Sequence, residues 1–249
     1  MKPVFKLTNV TVTFKKHAIR HKSLKHSFAN LLVDDAQKPV FNGLEDVSLS
    51  IQGGEHVGLI GRNGAGKTTL MRVLTRVIMP RTGGVYVDSA KHIVPLLELG
   101  IGFQGDLTGR ENCFLAGILM GYSKKEMGER IPGIIEFSEL GEFFDEPVKT
   151  YSSGMYARLA FALATDVRPE VLLVDEVFGV GDEFFMRKCI VRMQHLMRSG
   201  TTTIFVSHNL DFLVTQCQRL IWLENGRVVM DGNSLEVANA YRKSGGNYD

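Results

Sequence analysis

An apolar run from Val57 to Ile60 leads directly into Gly61-Arg62-Asn63-Gly64-Ala65-Gly66-Lys67-Thr68, and a helix-forming run from Thr69 to Ile78 follows. The central segment satisfies G-x-x-x-x-G-K-[ST], and its flanks are the strand and helix that this pattern requires. Glycines at three positions let the backbone turn so tightly that successive N–H groups point into one concavity. The positive end of the following helix deepens that concavity as an anion site. In such a loop the lysine, Lys67, reaches the β- and γ-phosphates, and the hydroxyl of Thr68 turns to Mg2+. Residues Gly61 through Thr69 are therefore expected to bind a nucleoside triphosphate.

A second constellation is Val171-Leu172-Leu173-Val174-Asp175-Glu176. A continuous apolar run of this length reads as a buried central strand of a mostly parallel sheet, with its acids at the carboxyl end. Open α/β sheets place their ligands at that end. There Asp175 is expected to hold Mg2+, usually through water, and Glu176 to orient or deprotonate the water attacking the γ-phosphate. The plainer alternative is that the two acids cap the next element. A further strand, Thr202 to Val206, ends at Ser207-His208, which brings a histidine to the same edge of the sheet.

Composition narrows the class. The 249 residues are 44% hydrophobic, enough for one large core or two modest lobes without a metal or disulfide staple. A formal charge of +2 is too balanced for a general nucleic-acid binder, so nucleic acid is not an expected partner. No apolar stretch approaches the ~20 residues of a membrane span, and the polar N-terminus lacks a signal-peptide core, which implies a cytoplasmic chain. Cys113, Cys189 and Cys217 are odd in number and lack C-x-x-C spacing, and are expected as buried reduced thiols.

Tyr151-Ser152-Ser153-Gly154-Met155 resembles the L-S-G-G-Q signature of ATP-binding cassette (ABC) transporter nucleotide-binding subunits, and the resemblance covers nearly the whole chain. It implies an α/β P-loop cassette with a RecA-like core, an antiparallel β-subdomain and a helical signature subdomain. Ser152, Ser153, Gly154 and Met155 open a helical run to Thr165, where a hydroxyl, backbone N–H groups and a helix dipole converge. In the family that turn closes on the γ-phosphate held by a second subunit, so the resemblance implies an ATP-sandwich homodimer with two composite sites, using ATP and Mg2+. It also makes His208 the switch histidine and Asp182, at the end of Gly179-Val180-Gly181-Asp182, a residue shaping the water-attack site. Phe14 is the first choice to stack on adenine, with His17 and Phe41 as alternatives. Gln104 is preferred as γ-phosphate and Mg2+ sensor, and Glu98 is the alternative by counting back from Thr108-Gly109-Arg110-Glu111-Asn112.

Three departures refine the resemblance. The signature carries Tyr151, Ser153 and Met155 where Leu, Gly and Gln are usual; Leu96 to Phe103 precedes the Thr-Gly-Arg-Glu-Asn run; and a long insertion separates the first strand from Leu44 to Leu49. Together they resemble the bacterial ATPases that export capsular polysaccharide or lipid-linked O-antigen. The implied partner is a separately encoded transmembrane permease at the cytoplasmic face of the inner membrane. Other exporters (teichoic acid, lipid, drug) and a soluble non-transport cassette are the rival readings. The expected layout is one cassette over 1–249: a β-rich and phosphate-loop lobe over about 1–95, a helical part over about 108–168 broken at Pro132-Gly133 and Pro147, and core completion over about 169–249. The last part includes a hairpin turning at Asn225-Gly226 and a Ser234-capped helix to about Lys243, with no room for a further sugar-binding domain. Residues 15–38 read as an inserted basic amphipathic segment: Leu24, Phe28, Leu31 and Leu32 share one helical face, and Arg20, Lys22, Lys25 and His26 occupy the rest. Such a helix either packs on the cassette or meets lipid-linked glycan or anionic headgroups.

Overall fold

A computed structural model describes residues 2–15, 40–96, 102–167, 169–175, 182–207 and 209–245. Residues 16–39, which hold most of the inserted segment and His17, lie outside them, as do Glu98, Glu176, Gly179 to Gly181 and His208.

Two sheets organise the chain. Strands β1 (Pro3–Lys15), β2 (Val40–Gln52) and β4 (Thr82–Val87) form a three-stranded antiparallel sheet in the order β2-β1-β4. A six-stranded sheet runs β5 (Ile93–Leu96), β6 (Val171–Asp175), β7 (Thr202–Val206), β3 (His56–Ile60), β8 (Arg219–Glu224) and β9 (Arg227–Asn233), in that spatial order. All neighbours are parallel except the β8–β9 hairpin. The expected lobe over 1–95 thus feeds both sheets, because β3 and β5 pair with strands from the last third of the chain.

Continuous apolar strands are what a sheet covered on both faces demands. Every residue of β3 and β7 is buried, and in β6 only Asp175 is partly open. Alternation within the strand then divides its side chains between two cores: Leu172 and Val174 join one, Val171 and Leu173 the other. The first core also takes in helices α2 (Gly109–Leu119), α3 (Lys124–Ser138) and α4 (Ser153–Asp166). The second fills the space between helix α1 (Lys67–Leu74) and the antiparallel sheet. Helices α5 (Glu183–Arg198), α6 (Leu210–Gln216) and α7 (Ser234–Lys243) complete the described fold. None of the described helices is long and apolar enough to cross a membrane.

Capping boxes written in the sequence start α2 and α3: Thr108 with Glu111, and Ser123 with Glu126. Three local expectations need correction. Helix α3 continues through Pro132 instead of breaking there. The missing N–H forfeits one bond to the Gly128 carbonyl, and the helix is held instead by Met127, Ile131, Ile134 and Phe137, which bury one of its faces. The cap of α7 is Asn233, whose amide oxygen accepts from Leu235 N at 3.0 Å, and Ser234 is buried inside the first turn. Helix α1 stops at Leu74, short of Ile78, because Arg76 turns to a φ of 58° and Val77 N reaches back to Arg72 O at 2.9 Å. At Pro147 the expected break is present: the chain is extended there and bridges Thr108.

Candidate nucleotide-binding site

The loop between β3 and α1 is shaped by its glycines. Gly61 has a φ of 144°, and a Cβ there would lie 2.1 Å from the Leu223 carbonyl oxygen. Gly66, the N-cap of α1, has a φ of 108° and passes so close to β2 that a Cβ would meet the Gly43 oxygen at 2.6 Å. Both positions therefore exclude any side chain on two counts, conformation and space. The outer residues Arg62, Asn63 and Gly64 remain exposed.

The loop is braced from outside by the hairpin turn. Gly226 N donates to Ala65 O at 2.9 Å, and Glu45 N donates to Gly226 O at 2.8 Å, so the turn at Asn225-Gly226 is wedged between the loop and β2. Arg227 forms an ion pair with Glu45 across the same junction. Nothing in the local sequence signals this brace, since its partners lie more than 150 residues apart.

Lys67 is only 7% exposed, and its ammonium donates to the carbonyls of Gly61 at 2.5 Å and Arg62 at 3.2 Å. A cation held by backbone oxygens at the first residue of a helix, where the positive end of the helix also lies, is set to meet an anion. Thr68, the next residue, turns its hydroxyl toward Asp175 at the end of β6, with 3.5 Å between Oγ1 and Oδ2. Both groups are hard oxygen donors. Mg2+ takes one or two such protein ligands and fills its remaining positions with water and phosphate oxygens, so the pair fits that ion.

Phe14, near the end of β1, stacks on Phe41 with ring centroids 5.3 Å apart. Its ring edge crosses Gly43, where a Cβ would be 2.5 Å from Cε2 and 3.1 Å from the methyl group of Thr69. Two of the proposed adenine-stacking residues are thus one aromatic pair next to the first turn of α1, and Phe41 is 47% exposed.

Ser152 is the N-cap of α4, its hydroxyl accepting from Met155 N at 3.2 Å. Ser152 and Ser153 are exposed and Gly154 and Met155 half-buried, whereas the helix beyond them is anchored by Ala157, Leu159, Ala160 and Phe161. The core therefore fixes α4 while its positive end meets solvent.

Asp182 is occupied within its own chain. One carboxylate oxygen caps α5 through Phe185 N at 2.9 Å, and the other pairs with Arg158 of α4. The Phe185 N–H, with Arg158 beside it, holds the carboxyl below the usual range. Arg158 also pairs with Glu139 at 3.2 Å and lies over the Phe185 ring. Sequence reasoning missed Arg158; its place four residues after Gly154 gave no sign of a partner at 182. Gln104 is exposed, and among the described residues its side chain makes no hydrogen bond with Thr68 or Asp175. Its backbone is instead clamped by Asn112, which accepts from Gln104 N at 2.7 Å and donates to Gln104 O at 3.0 Å. The three cysteines are buried free thiols, each pushed up to about 12 chiefly by burial, and so remain protonated.

The family model described as ABC transporter matches residues 44–179, more than half of the chain. The O-antigen export system ATP-binding protein RfbB of Klebsiella pneumoniae is 45% identical over 81% of this chain and 81% of its own length. The protein of the same name from Myxococcus xanthus is 40% identical over 96% of this chain, and the teichoic acids export ATP-binding protein TagH of Bacillus cereus is 39% identical over 95%. The chain spans 55% and 42% of the lengths of those last two relatives. In fold it is similar to a dimeric ATP-binding cassette in a post-hydrolysis state bound to ADP and Pi, with a TM-score of 0.74 at 24% identity, over 92% of this chain and 98% of that one. A family model over more than half of the chain and a relative 45% identical over 81% of both lengths leave one conclusion: the chain belongs to the ABC transporter family.

Proposed function

We propose that this chain is the ATP-hydrolysing subunit of an exporter that moves a bacterial glycan polymer across the cytoplasmic membrane. The observation that carries the ATPase part is the meeting of Thr68 and Asp175 beside Lys67. The cargo rests on the names of the relatives, two of which export O-antigen and one teichoic acids.

In this reading the loop N–H groups and Lys67 bind the β- and γ-phosphates, and the Phe14–Phe41 pair offers its face to adenine. Thr68 and Asp175 hold Mg2+, which supplies positive charge against the phosphate oxygens. Glu176, one residue past the metal carboxylate, takes a proton from the attacking water as its oxygen bonds to the γ-phosphorus and ADP departs. His208 and Asp182 stand as further members of that site, and Gln104 or Glu98 as its sensor. Ser152 and Gly154 close on the γ-phosphate of a second copy, so ATP binding draws two chains together beneath a permease at the inner face of the membrane. The cationic residues Arg20, Lys22 and Lys25 are proposed to meet lipid-linked glycan or anionic headgroups there.

The test is genetic and biochemical together. In cells lacking the chromosomal copy, the wild-type chain should restore surface glycan and Lys67→Ala should not. An Arg20, Lys22 and Lys25 triple change to Glu should keep ATPase activity but lose export. Unaltered surface glycan in the deletion strain, with all glycan classes measured, contradicts the cargo assignment while leaving the ATPase intact.

A further inference from the structure

Tyr151 stands directly before Ser152, where a common cassette has leucine. Its ring is half-buried against the core shared by α2, α3 and α4. The phenol oxygen donates to the Phe143 carbonyl at 2.6 Å, in the 3-10 turn Gly141–Asp145. The same oxygen lies against the first residue of α2: a Cβ on Gly109 would be 2.4 Å from it, while the Gly109 N–H donates to the Glu146 carbonyl at 3.3 Å. One atom therefore touches three segments, the signature, the start of α2 and the 141–145 turn. Leucine is too short for this reach and has no donor. Burial pushes the phenol up to about 12, so it remains a donor throughout the physiological pH range.

The backbone just ahead of Tyr151 is tied to the same place. Val148 N donates to Leu107 O and Lys149 N to Gly105 O, each at 2.9 Å, and Lys149 pairs with Asp106 at 2.8 Å. Asn112, 1% exposed, closes the turn ahead of α2 by donating to the carbonyls of Gln104, Leu107 and Thr108. Those backbone pairs end at residue 149, two positions short of the phenol and three short of Ser152. Beyond it Thr150 N and Tyr151 N bond only to their neighbours Pro147 and Val148 and Ser152 takes the cap bonds of α4, so Tyr151 is the side chain that ties the stretch ahead of the signature to α2 and the 141–145 turn.

We propose that Tyr151 is a positioning residue: its phenol locks the Ser152–Gly154 turn to the start of α2, so that the signature presents itself to the partner copy as one rigid body with the 104–109 turn. This rests on the reading above that the signature acts across a homodimer. Without the lock, part of the free energy of closure goes into ordering the turn.

Tyr151→Phe removes one oxygen and keeps the ring packing. In a Glu176→Gln background, sedimentation at rising ATP concentration measures closure, while nucleotide binding to the dilute single chain and the melting temperature are followed in parallel. The expected result is that half-maximal dimerisation needs about two- to tenfold more ATP, the range for one lost neutral hydrogen bond. Single-chain affinity should stay unchanged. Closure at the parental ATP concentration, whether or not the melting temperature falls, makes Tyr151 a structural anchor only and overturns the proposal. If Glu176→Gln with Tyr151 intact forms no ATP-dependent dimer, the homodimer reading itself fails, and the role of Tyr151 in closure falls with it.

Discussion

The hydroxyl of Thr68 and the carboxylate of Asp175 lie 3.5 Å apart although 107 residues separate them in sequence. The parallel sheet brings them together: β3 delivers the phosphate loop and β6 the aspartate, with β7 between the two strands. If this pair holds Mg2+, its two halves should fail alike. Thr68→Ala and Asp175→Asn should each raise the Mg2+ concentration for half-maximal ATPase activity by about 10–100-fold, the range seen when support of a metal is removed. Binding of Mg2+-free nucleotide should change little. Titration of activity against Mg2+ checks this, and an unmoved midpoint in Asp175→Asn counts against the assignment.

Lys67 is buried and held by the loop's own carbonyls, so its charge is fixed before any anion arrives. Lys67→Ala should weaken ATP binding by about 10–100-fold, corresponding to one charge-assisted contact of about 1.5–3 kcal/mol. Equilibrium binding of a fluorescent ATP analogue reads the loss directly.

His56 begins β3 with its ring buried and Nδ1 2.9 Å from the Thr203 hydroxyl, and burial lowers its pKa below the ordinary value of about 6.5. The folded state therefore gives up the imidazole proton more readily than the unfolded chain, which takes one up below pH ~6.5. The unfolded state binds more protons there, so stability falls as pH drops through that value. His56→Gln should flatten this part of the profile. Urea midpoints at pH 7.5 and 5.5 test it: the wild type should lose more between the two than the variant does.

Pro132 deprives α3 of a hydrogen bond to Gly128, in a helix already anchored by its buried face. Pro132→Ala restores that donor and should stabilise the chain by about 1–2 kcal/mol, the helix gain of about 3 kcal/mol being reduced by the freer unfolded chain. Urea unfolding followed by circular dichroism measures it, and a destabilised variant contradicts the reading.

The parts of the candidate site that the sequence spells are local ones. Gly61 to Thr68 spells a loop whose chemistry lies in consecutive residues, and Val171 to Asp175 reads as a strand because both faces must be apolar. Thr108-x-x-Glu111 and Ser123-x-x-Glu126 start helices for the same local reason. The braces were not legible. Gly226 on Ala65, Arg158 on Asp182 and Tyr151 on Phe143 are bonds between segments whose approach is decided by packing. Pro132 misled because propensity is a local preference and the buried face of α3 outweighs it. Phe14 and Phe41 are alternatives for one role in the sequence, and in the fold they are partners in a single stack.

The central claim is that two copies of this chain form two composite ATP sites, each with the phosphate loop of one and the signature of the other. Sedimentation of Glu176→Gln with ATP and Mg2+, combined with nucleotide counting, tests it most directly. The account predicts a stable dimer carrying two ATP molecules, absent with ADP and abolished by Ser152→Arg, together with turnover far below the wild-type rate. A Glu176→Gln chain that remains monomeric with ATP bound, or that hydrolyses ATP at the wild-type rate, contradicts it.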